Sequence, residues 1–199
     1  MRISPFAAAA IVAIAAPAHA QASDPAVATV QSLDDGLIAI MKAGKAVGER
    51  GRAARIGPVI DRTLDIPLMT RLAVGPSWNG IASADQQALV TAFRRMTIAQ
   101  YAGNFDDFSG QSFAIAPQVE SRGGDKLVRT TLKDPHGDDV AIAYRLRQNG
   151  GAWKIIDVFY KNSISQIATR RSDFAGVLQK GGAKALVAHL NALTAKAGG

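Results

Sequence analysis

Apolar positions along this chain follow two different rhythms, and the change falls near residue 111. Early on, Val27, Val30, Leu33, Leu37 and Met41 recur at three- and four-residue spacing, the signature of one helix face. Ser23-Asp24-Pro25 just before them is a cap-and-start signal. The basic stretch "GKAVGERGRAARIGPVIDRTLDI" is interrupted by Gly44, Gly48, Gly51 and Gly57-Pro58, which predicts shorter helices or turns. Ser83-Ala84-Asp85-Gln86 then reads as a capping box with Ser83 as the cap. Leu89, Phe93, Met96 and Gln100-Tyr101 continue that helix's apolar stripe.

From Gln111 the period becomes two. "QSFAIAPQ", "DKLVRTTLK", "VAIAYRLRQ" and "AWKIIDVFY" read as four strands, separated by "SRGG", "DPHGDD" and "NGG". Connections this short imply an antiparallel meander, since parallel neighbours need long crossovers. A last helical region carries Ile164, Ile167, Phe174, Val177 and Leu178, then Leu186, Val187, Leu190 and Leu193, with a break at Gly181-Gly182. Helices, then a four-stranded sheet, then helices make a single α+β domain with helices against one side of the sheet.

The fourth strand is apolar on both faces. Trp153, Ile155 and Phe159 alternate with Ile156, Val158 and Tyr160. The third strand sets Val140, Ile142, Tyr144 and Leu146 against Ala141, Ala143, Arg145 and Arg147. A sheet covered by helices on one side needs only one apolar face. The second is either closed over by more protein or lines a cavity, and periodicity favours ordinary packing.

Composition adds a compartment. Arg2, the apolar run Phe6 to Ala16 and Ala18-His19-Ala20 have the form of a secretory leader, which predicts cleavage after Ala20 and an exported domain over 21–199. That run is shorter than the roughly 20 residues a spanning helix needs, and no later stretch reaches that length. The 199 residues are 48% hydrophobic and contain no cysteine, so the domain must rely on its core rather than on disulfides. A bacterial periplasm is the expected location. Lys and Arg number 23 against 16 Asp and Glu, a net +7, which suits an anionic partner such as lipid head groups. The basic residues are scattered, without interleaved aromatics, so nucleic acid is not expected as a partner.

Catalytic chemistry is sparse. His19 leaves with the leader, His136 sits in the turn "DPHGDD", and His189 lies in the last helix. There is no Gly-x-Ser-x-Gly elbow and no cysteine nucleophile. Asp134, Asp138 and Asp139 lack calcium-loop spacing and read as a charged hairpin tip. Gly123-Gly124 lies between strands, not before a helix as a phosphate-cradling loop would. The expectation is a protein without metal or cofactor that is not an enzyme. The alternative is a small hydrolase or isomerase using His136 or Asp157, and a fully packed protein adaptor is a third reading.

The segment "GAWKIIDVFYKNSISQIATRRSDF" resembles the C-terminal signature of the MlaC family of periplasmic lipid-binding proteins. Trp153 to Val158 match its Trp-Lys strand, Ile164-Ser165 its Val-Ser-like step, and Arg171 to Phe174 its Arg-x-x-Phe helix start. Upstream, Gly75 to Phe113 resembles the family's helix at the same position. Asn162 replaces a usual glycine, the turn is one residue longer, and "SISQIATRRSDF" looks more like the hopanoid-associated HpnM branch. The resemblance implies a carrier that shields the tails of a phospholipid or hopanoid in an apolar pocket. Its expected partners are a membrane-bound ABC transporter complex and an outer-membrane complex. The expected lining is Tyr101, Phe105, Val140, Ile142, Tyr144, Ile156, Val158 and Ile164, with Arg170 and Arg171 as lesser candidates for a lipid phosphate. Strand parity decides which sheet face points inward, and a bulge would invert it.

Overall fold

A computed structural model describes residues 24–197; the leader expected over 1–20 lies outside them. Helix α1 (Pro25–Ala43) begins as the sequence suggests, with Asp24 accepting from Ala26 N at 2.9 Å and Pro25 in the first turn. A 3₁₀ turn (Lys45–Val47) leads into α2 (Gly48–Thr63). α2 runs unbroken through Gly51 and Gly57-Pro58, contrary to the expectation of shorter pieces. Its buried stripe of Arg52, Ile56 and Ile60 explains why: tertiary burial outweighs the local cost of the glycines and the proline.

Asp65 caps α3 (Ile66–Val74) by accepting from Leu68 N at 3.0 Å. A second 3₁₀ segment (Gly75–Gly80) precedes α4 (Ser83–Asn104). The expected capping box is not formed. Ala82 occupies the cap position without a side-chain bond, and Gln86 instead donates from Nε2 to Trp78 O at 2.9 Å.

The sheet has five strands, not four, in the order β1-β2-β3-β4-β5. They are β1 (Ser112–Arg122), β2 (Asp125–Lys133), β3 (Val140–Asn149), β4 (Ala152–Tyr160) and the two-residue β5 (Ile164–Ser165). The fifth was illegible because Lys161 and Asn162 take left-handed conformations, at φ 51° and 59°, where glycine is the usual resident. They close a turn in which Ser163 N donates to Tyr160 O at 3.3 Å, returning Ile164 to pair with Tyr160. β1 runs past Pro117 because that proline falls in a register shift on an edge strand, where its missing N–H costs no ladder bond. Gly150 and Gly151 supply the positive φ required by the two-residue β3–β4 hairpin.

The apparent two-faced β4 is a bulge. Tyr144 pairs with Val158 and Leu146 with Ile155, so Ile156 is an extra residue opposite the β3 ladder. Parity flips across it. Trp153, Ile155, Val158 and Tyr160 lie opposite Gln148, Leu146, Tyr144 and Ile142, all on one face. Val128, Ile142, Tyr144, Leu146 and Ile155 from that face join the main core. The other face carries Arg129, Arg145, Arg147 and Asp157, with the buried Asp125 carboxylate bonded by Arg145 and Arg147. Those guanidiniums, Arg147 first, hold Asp125 below the usual carboxylate range.

α1 lies against the sheet, α4 packs between α2 and α5 (Gln166–Ala197), and α5 also meets α3. The break expected at Gly181-Gly182 is present as a kink inside α5, with Gly182 at φ 63°. No helix among the described residues is long and apolar enough to cross a membrane.

Candidate lipid-binding site

A cavity of about 350 Å³ opens between the inner face of the sheet and the helices. That volume lies within the roughly 300–1,000 Å³ typical of small-molecule sites. Ile142 and Val158 form its sheet wall. One face of α4 (Phe93, Thr97, Gln100, Tyr101 and Asn104) forms another, and Gln166, Ile167 and Arg170 from the first turns of α5 a third. Leu64 and Met69 close the end near α3, and Tyr160 stands beside the β4–β5 turn.

The β4–α5 junction is held by one carboxylate. Asp157 accepts from Val158 N at 2.8 Å, Ile167 N at 3.1 Å and Ser165 Oγ at 2.6 Å, while Ser165 Oγ accepts from Ala168 N at 2.9 Å. Asp157 and Ser165 together satisfy the first donors of α5. This fixes Ile167 and Arg170 against the cavity and employs Asp157 fully as structure. His136 sits on the exposed β2–β3 turn, where its backbone N donates to Asp134 Oδ1. Neither proposed acid–base residue lines the cavity.

Of the eight residues singled out from the sequence, Tyr101, Ile142 and Val158 line the cavity. Phe105 stands behind it, stacked on Tyr101 with ring centroids 5.9 Å apart. Val140 is half-buried against the core edge, one strand step beyond Ile142. Tyr144 is buried, its hydroxyl turned to Asp34 Oδ1 at 3.3 Å. Ile156 is the bulge residue, buried outside the main cluster. Ile164 is 48% exposed on β5, because the turn carries it outward.

The polar lining was missed or under-rated. Arg170, only a lesser candidate from the sequence, is half-buried, donates from Nη2 to Gln100 Oε1 at 2.6 Å, and lies 5.7 Å from the Phe93 ring centroid. Burial lowers its pKa from the ordinary guanidinium value, yet an arginine remains charged. Thr97, buried in the same wall, has an Oγ1 without a hydrogen-bond partner. Burial pushes the Tyr101 hydroxyl up to about 12, so it stays a neutral donor. The three-residue step from Thr97 to Gln100 places both on one helical face, the one sequence signal that could have found them.

The arrangement offers an apolar floor with a few convergent polar groups. Among the described residues no cluster of His, Cys, Asp and Glu could hold a metal ion. Such a site suits retention of an amphiphile.

Comparison with known proteins agrees with that geometry. The fold is similar to a phospholipid-binding protein from Ralstonia solanacearum solved in complex with a phospholipid, with a TM-score of 0.72 and 26% sequence identity. The likeness covers 86% of this chain and 98% of that one. The profile of the MlaC protein family matches residues 31–192, nearly the whole span from α1 to α5, and the chain belongs to the MlaC family.

Proposed function

We propose that this protein is a periplasmic lipid shuttle of an Mla-type transport system, exported after removal of residues 1–20 and working as one domain over 21–199. It takes a phospholipid from one membrane-bound complex, holds its tails between the sheet and helices, and releases it to another. An ABC transporter complex and an outer-membrane complex are its partners. The observation that carries the reading is the cavity floored by Ile142 and Val158 in a chain whose structural relative was solved with a phospholipid. A phospholipid is favoured over the hopanoid expected from the HpnM-like motif, since that relative's ligand is a phospholipid.

Burial of roughly 0.8 kcal/mol per methylene means that even part of one acyl chain supplies substantial affinity. Tyr101, Ile142 and Val158 contact hydrocarbon directly in this reading. Phe105, Val140, Tyr144, Ile156 and Ile164 support or flank the wall. A two-chain lipid exceeds 350 Å³, so the cavity as it stands takes only part of its tails. No bond is broken; the protein lowers the cost of carrying a lipid through water.

Organic extraction and native mass spectrometry of the purified protein test this. Phospholipid should be recovered from the wild type and lost from Val158→Glu, which places a carboxylate on the apolar floor. A wild type that neither carries lipid nor takes it up from vesicles would sink the proposal.

A further inference from the structure

Among the described residues Arg170 has no carboxylate at ion-pair distance; Asp173, one turn further along α5, acts on it only from longer range. The only hydrogen-bond acceptors of Arg170 there are neutral: Gln100 Oε1 at 2.6 Å and, weakly, Met96 Sδ at 3.5 Å. A guanidinium has five N–H donors in a planar fork, so most of its capacity is unused. Keeping a partly desolvated charge so under-coordinated costs free energy unless something anionic completes it.

The contrast with the other arginines sharpens this. Arg94 on α4 is bonded twice by Asp61, and Arg145 and Arg147 share Asp125. Arg52, though buried, donates to two helix-end carbonyls, Ala102 O and Gly44 O. Arg170 alone among these faces the cavity, beside the amides of Asn104 and Gln166. Gln100 holds one edge of its fork at Nη2, Met96 takes Nη1 only weakly, and Nε has no hydrogen-bond partner among the described residues.

We propose that Arg170, oriented by Gln100, binds the phosphodiester of the lipid whose tails fill the cavity, and so makes the site selective for phospholipids over neutral amphiphiles of the same tail length. This rests on the lipid-binding reading above. A fork facing a phosphodiester forms paired N–H···O bonds that a diacylglycerol hydroxyl cannot replace.

The test compares uptake of phosphatidylglycerol and of diacylglycerol with identical acyl chains by delipidated wild type, Arg170→Met and Gln100→Glu, read by native mass spectrometry. Met keeps much of the apolar stem against Phe93; Glu at position 100 supplies the missing carboxylate and occupies the fork. Both variants should lose roughly ten- to a hundredfold in affinity for phosphatidylglycerol and little for diacylglycerol. Equal losses for both lipids, or no loss for either, would overturn the proposal. Inorganic phosphate binding the wild type as tightly as phosphatidylglycerol would overturn it too, by making this a free-anion site. If the wild type takes up neither lipid, the lipid-binding reading itself fails.

Discussion

The hydroxyl of Tyr144 on β3 donates to Oδ1 of Asp34 on α1 at 3.3 Å, joining helix and sheet across 110 residues of sequence. Asp34 is 1% exposed and its Oδ2 has no hydrogen-bond partner among the described residues. Burial, opposed by the Tyr144 bond, raises its pKa from 3.8 to about 7. Desolvation thus keeps the carboxyl protonated until pH approaches 7, and Tyr144, itself raised well above its ordinary value by burial, stays protonated beside it.

This gives a pH signature. Below about pH 3, Asp34 is protonated in both folded and unfolded chains and costs nothing. As pH rises towards 7 the unfolded chain ionises first, so stability falls, and the loss is complete above the folded pKa of about 7. Asp34→Asn abolishes this contribution. Its urea midpoint relative to wild type should rise between pH 4 and pH 8, by an amount equivalent to about 2–4 kcal/mol. An unchanged difference across that range would mean the carboxyl is solvated in the folded protein.

Filling the cavity should separate binding from folding. Ile142→Trp projects an indole into the space between sheet and α4. Thermal unfolding should remain cooperative, with a change within about 1–3 kcal/mol for an enlarged side chain. Extractable lipid should fall several-fold. Full lipid occupancy in this variant would place the ligand elsewhere.

Removing the clamp at the β4–α5 junction should be costly. Asp157→Ala strands Ile167 N and frees Ser165, at a cost of about 2–3 kcal/mol from a lost cap plus a lost charged bond. Asp157→Asn keeps an acceptor and should recover part of that. Chemical denaturation of the three proteins measures the order directly.

Close approach of α1 and α2 depends on Gly36. A Cβ there would meet Val59 Cγ1 at 2.9 Å, Val59 Cγ2 at 3.1 Å and Ile56 Cδ1 at 3.2 Å. Gly36→Ala should cost roughly 1–3 kcal/mol through overpacking, despite alanine's better helix propensity. A stabilised variant would show that the two helices separate freely.

Local rules made much of the fold legible. Asp24-Pro25 starts α1, and the glycine pairs at 123–124 and 150–151 set two hairpins, because caps and tight turns are decided by residues adjacent in sequence. β2 and β4 have the bounds their alternation suggests. Local rules failed where tertiary contacts outbid them, as at Gly57-Pro58 inside α2 and at Gln86, which bonds Trp78 rather than completing a capping box. Lys161-Asn162 shows the limit of turn chemistry: the left-handed pair is held by the pairing on either side, not by glycine.

By itself the sequence determined an α+β chain with an antiparallel meander and greasy inner strands, since side-chain periodicity is a property of near neighbours. Tertiary structure decided which of those greasy residues meet a void. The bulge at Ile156 turns Ile155 and Val158 to the same side, and it exists only as a mismatch between β3 and β4. Arg170 is no more than a lesser candidate in the sequence, level with Arg171, until α4 docks beside it and brings Gln100 and Phe93 within reach. A cavity is the space left between elements distant in sequence, so its walls follow from how they pack rather than from any one stretch of residues.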